Sequence, residues 1–128
     1  MRLFASYNAF VPSSPSPPVT APKVAGSASS PAVTEADLER AAELLRALAN
    51  AHRLAIVRQL NGAARCVHEL VEALGVSQPL VSQHLRILRA AHVVRAERRG
   101  REIAYSLGDE HVFHIVHDAI VHAAELSS

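Results

Sequence analysis

The chain has 128 residues, with 13 Lys and Arg against 12 Asp and Glu and a formal net charge of +1. At 49% hydrophobic residues it can bury one modest core, which excludes two full domains, and no stretch approaches the apolar length that a membrane-spanning helix needs. Cys66 is the only cysteine, so an internal disulfide is excluded and a reducing compartment fits. The opening MRLFASYNAFV lacks a cluster of positive residues ahead of an apolar run that Asn8 and Pro12 interrupt, so a cytoplasmic protein is expected.

Six of the seven prolines fall between Pro12 and Pro31, mixed with Ser and Ala. Residues 1–33 are therefore expected to form a disordered Pro/Ser/Ala-rich arm, ahead of one folded domain over 34–126. Thr34 with Asp37 reads as a helix start, followed by Leu38, Ala41, Leu45 and Leu48 at helical intervals. A second helix is expected from about Ala51 to Leu60, ended by Asn61-Gly62. A third, from about Val67 to Leu74, stops at Gly75, and Ser77 caps a fourth only two residues later. With apolar Val76 in the turn between them, this is a helix-turn-helix signal.

In the fourth helix Val81, Leu85 and Leu88 make a buried seam, and Pro79 is tolerated in the first turn. The exposed residues are of the types that read base edges, since Gln pairs with adenine, Arg with guanine, and Ser with either bases or phosphate. Ser77, Gln78, Ser82, Gln83 and Arg86 are accordingly candidates for DNA contact, and His84 is expected to join them or to meet phosphate. The period then switches to two in Val94–Arg98 and Glu102–Leu107, which flank Arg99-Gly100-Arg101, the pattern of a β-hairpin wing. Arg98, Arg99 and Arg101 are expected to meet the DNA backbone or minor groove. The expected fold is mainly α with a hairpin, a winged helix-turn-helix in the order α-α-α-α-β-β-α. RNA is disfavoured, for there is no aromatic stacking platform.

Charge is segregated in the same way. Arg86, Arg89, Arg95, Arg98, Arg99 and Arg101 face Glu97 alone, whereas no Lys or Arg follows Arg101 and the segment beyond it holds Glu102, Asp109, Glu110, Asp118 and Glu125. A basic block before an acidic, His-rich one implies two partners of opposite charge. In the last helix His111 and His122 share a face, but the rise between them is about 16 Å, too far for one ion to bridge. A second copy packed antiparallel about a two-fold axis near Val116 and His117 brings His111 of one chain to His122 of the other. Glu125 lies one turn beyond His122, and Asp109 at the helix start can turn its carboxylate back toward His111. Val112, Val116, Ala119 and Ala123 form a separate apolar stripe.

The run VSQPLVSQHLRILRAAHVVRAERRGREIAYSL, followed by Asp109-Glu110-His111, resembles the ArsR/SmtB family of bacterial metal-sensing repressors over about Leu38 to Glu125. The resemblance implies a homodimer that binds operator DNA without metal and more weakly with it. It also implies a zinc-type site on the last helices, whose Asp-x-His and His-x-x-Glu pattern falls on Asp109, His111, His122 and Glu125. A second family site uses a Cys-Val-x-Asp-Leu box with ligands from the N-terminal arm. Here the box reads Cys66-Val67-His68-Glu69-Leu70, and neither His nor Cys precedes His52. Two imidazoles and two carboxylates suit zinc, while nickel or cobalt would recruit further donors such as His114, His117 or Asp118. A winged-helix regulator responding to thiol oxidation at Cys66 is the alternative, and with no His-Glu-x-x-His run an enzyme is not expected.

Overall fold

The computed structural model describes residues 31–127. All but the last three residues of the expected arm lie outside the described residues. Helix α1 (Glu35–Leu48) begins one residue after Thr34, and α2 (Ala51–Gln59) follows after a two-residue break. Asn50 caps α2, its Oδ1 accepting from the backbone N–H groups of His52 and Arg53 at 2.9 and 3.1 Å, which satisfies donors that have no partner inside the helix.

A short strand β1 (Arg65–Cys66) leads directly into α3 (Val67–Leu74). Gly75 then adopts φ +68°, and its N–H donates to the Val71 carbonyl at 2.9 Å. A side chain at this left-handed C-cap would be strained, so glycine is what allows α4 (Gln78–Ala90) to start almost at once. Ser77 occupies the expected cap position, but its side chain makes no capping hydrogen bond.

The wing consists of β2 (Val94–Arg99) and β3 (Glu102–Leu107), paired antiparallel so that Arg99 faces Glu102 across a two-residue tip. β1 pairs antiparallel with the other edge of β3, placing Arg65 opposite Tyr105 and Cys66 opposite Ala104. The sheet therefore has three strands, in the order β1-β3-β2, where sequence periodicity implied only two. Beyond it α5 (Glu110–Leu126) completes the elements of the described residues. At the joint Gly108 donates its N–H to the Val93 carbonyl at 2.8 Å, and a Cβ there would lie 2.7 Å from the His92 carbonyl oxygen. Backbone atoms cannot yield as a side-chain tip can, so only glycine lets β3 turn into α5 this close to β2.

One core joins all five helices of the described residues and β2. Leu48, Ile56, Val57, Leu60, Leu70, Val81, Leu85, Leu88, Val93, Val94, Val112 and Val116 are buried together, each large aliphatic side chain contributing about 1.5–3 kcal/mol on leaving water. Two expected stripes are only partly used. Leu48 is buried, but Leu38 and Leu45 are each 54% exposed. On α5, Val112 and Val116 are buried and Ile115 and Ile120 pack against the core, while Ala119 and Ala123 face outward. The unburied parts of α1 and α5 thus leave apolar surface over. A groove of about 200 Å³ lined by Leu45, Leu48, Ala49, Leu54, Ile115, Val116 and Ala119 runs between them. Among the described residues no helix is long and apolar enough to cross a membrane.

Candidate nucleic-acid interface and metal centre

α4 turns Val81, Leu85 and Leu88 inward, each no more than 1% exposed, and leaves Gln78, Gln83, Arg86 and Arg89 exposed with Ser82 half-buried. Ser77 is exposed at its start. The helix has 13 residues, about 20 Å, a length that a DNA major groove admits. Arg98, Arg99 and Arg101 are exposed at the tip of the wing. Among the described residues none of these arginines is ion-paired to a carboxylate, so their charge is available to another molecule.

His84 departs from this pattern and from the expectation that it would reach DNA. Its side chain is only 6% exposed, and Nδ1 lies 3.2 Å from an Arg53 guanidinium nitrogen. Position decides this. Val81, His84, Leu85 and Leu88 stand at the i, i+3, i+4, i+7 spacing of the buried stripe itself.

At the start of α5, Asp109 is an extended N-cap whose Oδ1 accepts from the N–H groups of His111 and Val112 at 2.8 and 3.3 Å. The same oxygen is 3.4 Å from His111 Nδ1. The carboxylate has thus turned back to the imidazole, as expected, and both side chains remain open to solvent. His122 and Glu125 are also exposed, on the last two turns of α5. The fold brings Asp109 to His111 but leaves this pair far from His122 and Glu125. Among the described residues of one protomer no three His, Cys, Asp or Glu side chains are grouped to hold a metal ion.

Cys66 is half-buried and lies at the base of the wing. Its N–H donates to Glu69 Oε1 at 2.8 Å, and its thiol donates to Glu102 Oε1 at 3.0 Å. The other oxygen of Glu102 lies 3.7 Å from His68 Nδ1. The hydrogen bond to Glu102, then burial and the nearby carboxylate charges, push the Cys66 thiol above its ordinary pKa. The Glu69 contact follows from capping-box spacing. The Glu102 contact could not be read without the register of β1 on β3.

A helix pair joined through the Gly75 C-cap, with a polar outer face and followed by a basic hairpin, defines the class as a winged helix-turn-helix. Residues 50–96 match the bacterial regulatory protein, arsR family. Over 88 residues the chain is 64% identical to the HTH-type transcriptional repressor SmtB of Mycobacterium tuberculosis, covering 69% of this chain and 65% of that protein. It is also 44% identical over 85 residues to the HTH-type transcriptional regulator NmtR of the same species, covering 66% of this chain and 71% of the relative. A solved homodimeric winged helix-turn-helix DNA-binding domain from Mycobacterium bovis, a possible ArsR-family regulator, superposes with a TM-score of 0.64 at 31% identity, covering 70% of this chain and 83% of that one. The chain belongs to the ArsR/SmtB family, a family of DNA-binding regulators and not of enzymes.

Proposed function

We propose that this chain is a metal-responsive transcriptional repressor, acting in the cytoplasm, that binds operator DNA as an apo homodimer and is released when zinc binds between the two α5 helices. The observation that carries the reading is the division of donors along α5. Asp109 and His111 are drawn together at its start, and His122 and Glu125 stand exposed near its end. An antiparallel second copy would join the two half-sets into two sites per dimer. The outward apolar surface of α1 and α5, including Leu38 and Leu45 at 54%, Val121 at 42% and Leu126 at 74% exposure, supports dimerisation through these two helices.

The donors fit the ion. Asp109 Oδ1 is committed to the helix N–H groups, leaving the second carboxylate oxygen for coordination, and His122 and Glu125 have open side chains. Two imidazoles and two carboxylates would hold zinc in four-coordinate geometry, and bound there it would tie one α5 to the other. His114 and His117 are exposed on the same helix and could enlarge the donor set for nickel or cobalt. The thiol-oxidation alternative is less well supported, because the hydrogen bond to Glu102 favours the protonated thiol and the thiolate is the reactive form.

On DNA, Gln78, Ser82, Gln83 and Arg86 would face base edges, with Ser77 near the backbone and Arg98, Arg99 and Arg101 on phosphate or minor groove. Metal and DNA need opposite settings of the two recognition helices, a coupling typically of 1–3 kcal/mol that must be reciprocal. The test is to select a binding duplex from a random-sequence pool with the apo protein, then titrate it with and without zinc. Affinity reduced about fivefold or more by zinc is expected. Equal affinity in both would discard the metal response, and failure to select any duplex would discard the repressor reading.

A further inference from the structure

His84 is buried on α4, and Arg53 on α2 reaches it from the neighbouring layer, with Nη1 3.2 Å from His84 Nδ1. A guanidinium can only donate, so Nδ1 must be the unprotonated acceptor and the ring proton resides on Nε2. Nε2 is itself buried, and it has no hydrogen-bond partner among the described residues. A second proton would have to enter at Nδ1, where it would point at the Arg53 donor. The imidazole is therefore useful here only while neutral.

Arg53 is held from its other side as well. Its Nε donates to the Ala47 carbonyl at 2.6 Å, and its backbone N–H donates to the Asn50 cap at 3.1 Å. Ala47 is buried in the last turn of α1. One guanidinium thus bridges the C-terminal carbonyls of α1, the outward apolar helix, and the inner face of α4, the helix with the candidate base-reading residues. A charged bridging group that satisfies a carbonyl and an imidazole at once resists relative movement of the two helices more than apolar contact does, because displacing either partner leaves a buried polar group unmet.

We propose that Arg53 and His84 form a positioning link that fixes the recognition helix against α1, and that acidification releases it and loosens the grip on operator DNA with no metal involved. The proposal rests on the DNA-binding reading given above. Burial, followed by the charges of Arg53 and His52, holds His84 below its ordinary pKa, and the His52 ring centre is 5.5 Å from that of His84. Both groups belong to α2. From the other elements packed on α4, Arg40, Glu43 and Arg46 of α1 line a groove beside Ile87, Ala90 and Ala91, and the charges acting on His84 are those of Arg53 and His52. The sign follows from linkage. The unfolded chain takes up a proton at this histidine near pH 6.5, whereas the folded one resists until a lower pH. Folded stability therefore declines as pH falls below about 6.5, and at the lowered folded value the ring charges and repels Arg53.

The experiment uses the full chain with metal chelated and a duplex selected from a random-sequence pool. Affinity is measured between about pH 7.5 and pH 5.5 for the wild type, His84→Gln and His84→Leu. Gln keeps an acceptor for Arg53 but cannot take up a proton, so it should match the wild type at the upper pH and stay within about twofold on acidification. The wild type should weaken severalfold, and Leu should bind weakly at both ends. An acid profile for His84→Gln that parallels the wild type overturns the link. So does imidazole 15N NMR placing the His84 proton on Nδ1. If the wild type selects no duplex, the regulator reading falls separately, and an Nε2–H imidazole whose titration shifts in Arg53→Lys still upholds the link.

Discussion

The Cys66 thiol donates to Glu102 Oε1 across 3.0 Å, joining the residue that opens α3 to the first residue of the wing's return strand. Register explains the contact. Cys66 lies opposite Ala104, and Glu102, two residues earlier on β3, shares a face of that strand with it. The helix-turn-helix and the wing are therefore fastened at their common base by a side-chain bond as well as by the β1–β3 ladder.

The carboxylate keeps this thiol protonated, so replacing Glu102 by Gln is expected to lower the Cys66 pKa and enlarge its thiolate fraction at any pH below it. Iodoacetamide labelling near neutral pH should then run severalfold faster in Glu102→Gln than in the wild type, with the fold checked by circular dichroism. An unchanged or slower rate would show that Glu102 does not govern the thiol. It would also reopen thiol oxidation as the signal.

The turn after α4 holds a second consequence. His92 has φ +62°; its N–H donates to the Arg89 carbonyl at 3.0 Å and that of Val93 to the Leu88 carbonyl at 2.9 Å. These two bonds are those of a Schellman motif with His92 at the left-handed position, where a residue bearing a Cβ costs about 1–2 kcal/mol. Glycine relieves that strain but gains freedom in the unfolded chain, so His92→Gly is expected to be stabilising by about 0.5–1 kcal/mol. Thermal melting should rise by a few degrees. A lower melting temperature would mean that the His92 side chain contributes more than its backbone costs.

Much of this architecture was legible without coordinates, because helices announce themselves locally. The Val67–Leu74 helix, its Gly75 stop and the hairpin around Gly100 depend on caps and periods that sit next to one another in the chain. β1 did not show because two residues carry no alternation; only pairing with β3 makes them a strand. The exposure of Leu38 and Leu45 was equally hidden, since a helical interval says that residues share a face and not what covers it. His84 is different. Its spacing belongs to the stripe of Val81, Leu85 and Leu88, but an imidazole favours an open face by residue type, and the partner that admits it to the core, Arg53, is 31 residues away. At the candidate metal centre the Asp109–His111 half was readable from N-cap chemistry, while the other half depends on a second chain.

That dependence yields a test that no single-protomer site could pass. If each site takes Asp109 and His111 from one chain and His122 and Glu125 from the other, a homodimer of His111→Ala has two damaged sites, and so does a homodimer of His122→Ala. A mixed dimer behaves differently. The chain lacking His111 still offers His122, and the chain lacking His122 still offers His111, so one of its two sites keeps every ligand and the other loses both imidazoles. Co-refolding the two variants with distinct affinity tags and isolating the mixed species should restore one tight zinc site per dimer, read by competition with a chromophoric chelator, while each parent binds about 10-fold to 100-fold more weakly or worse. Donors gathered within one chain would instead leave the mixed dimer with two damaged sites and no better than its parents, and that outcome would remove the inter-subunit centre from the proposed mechanism.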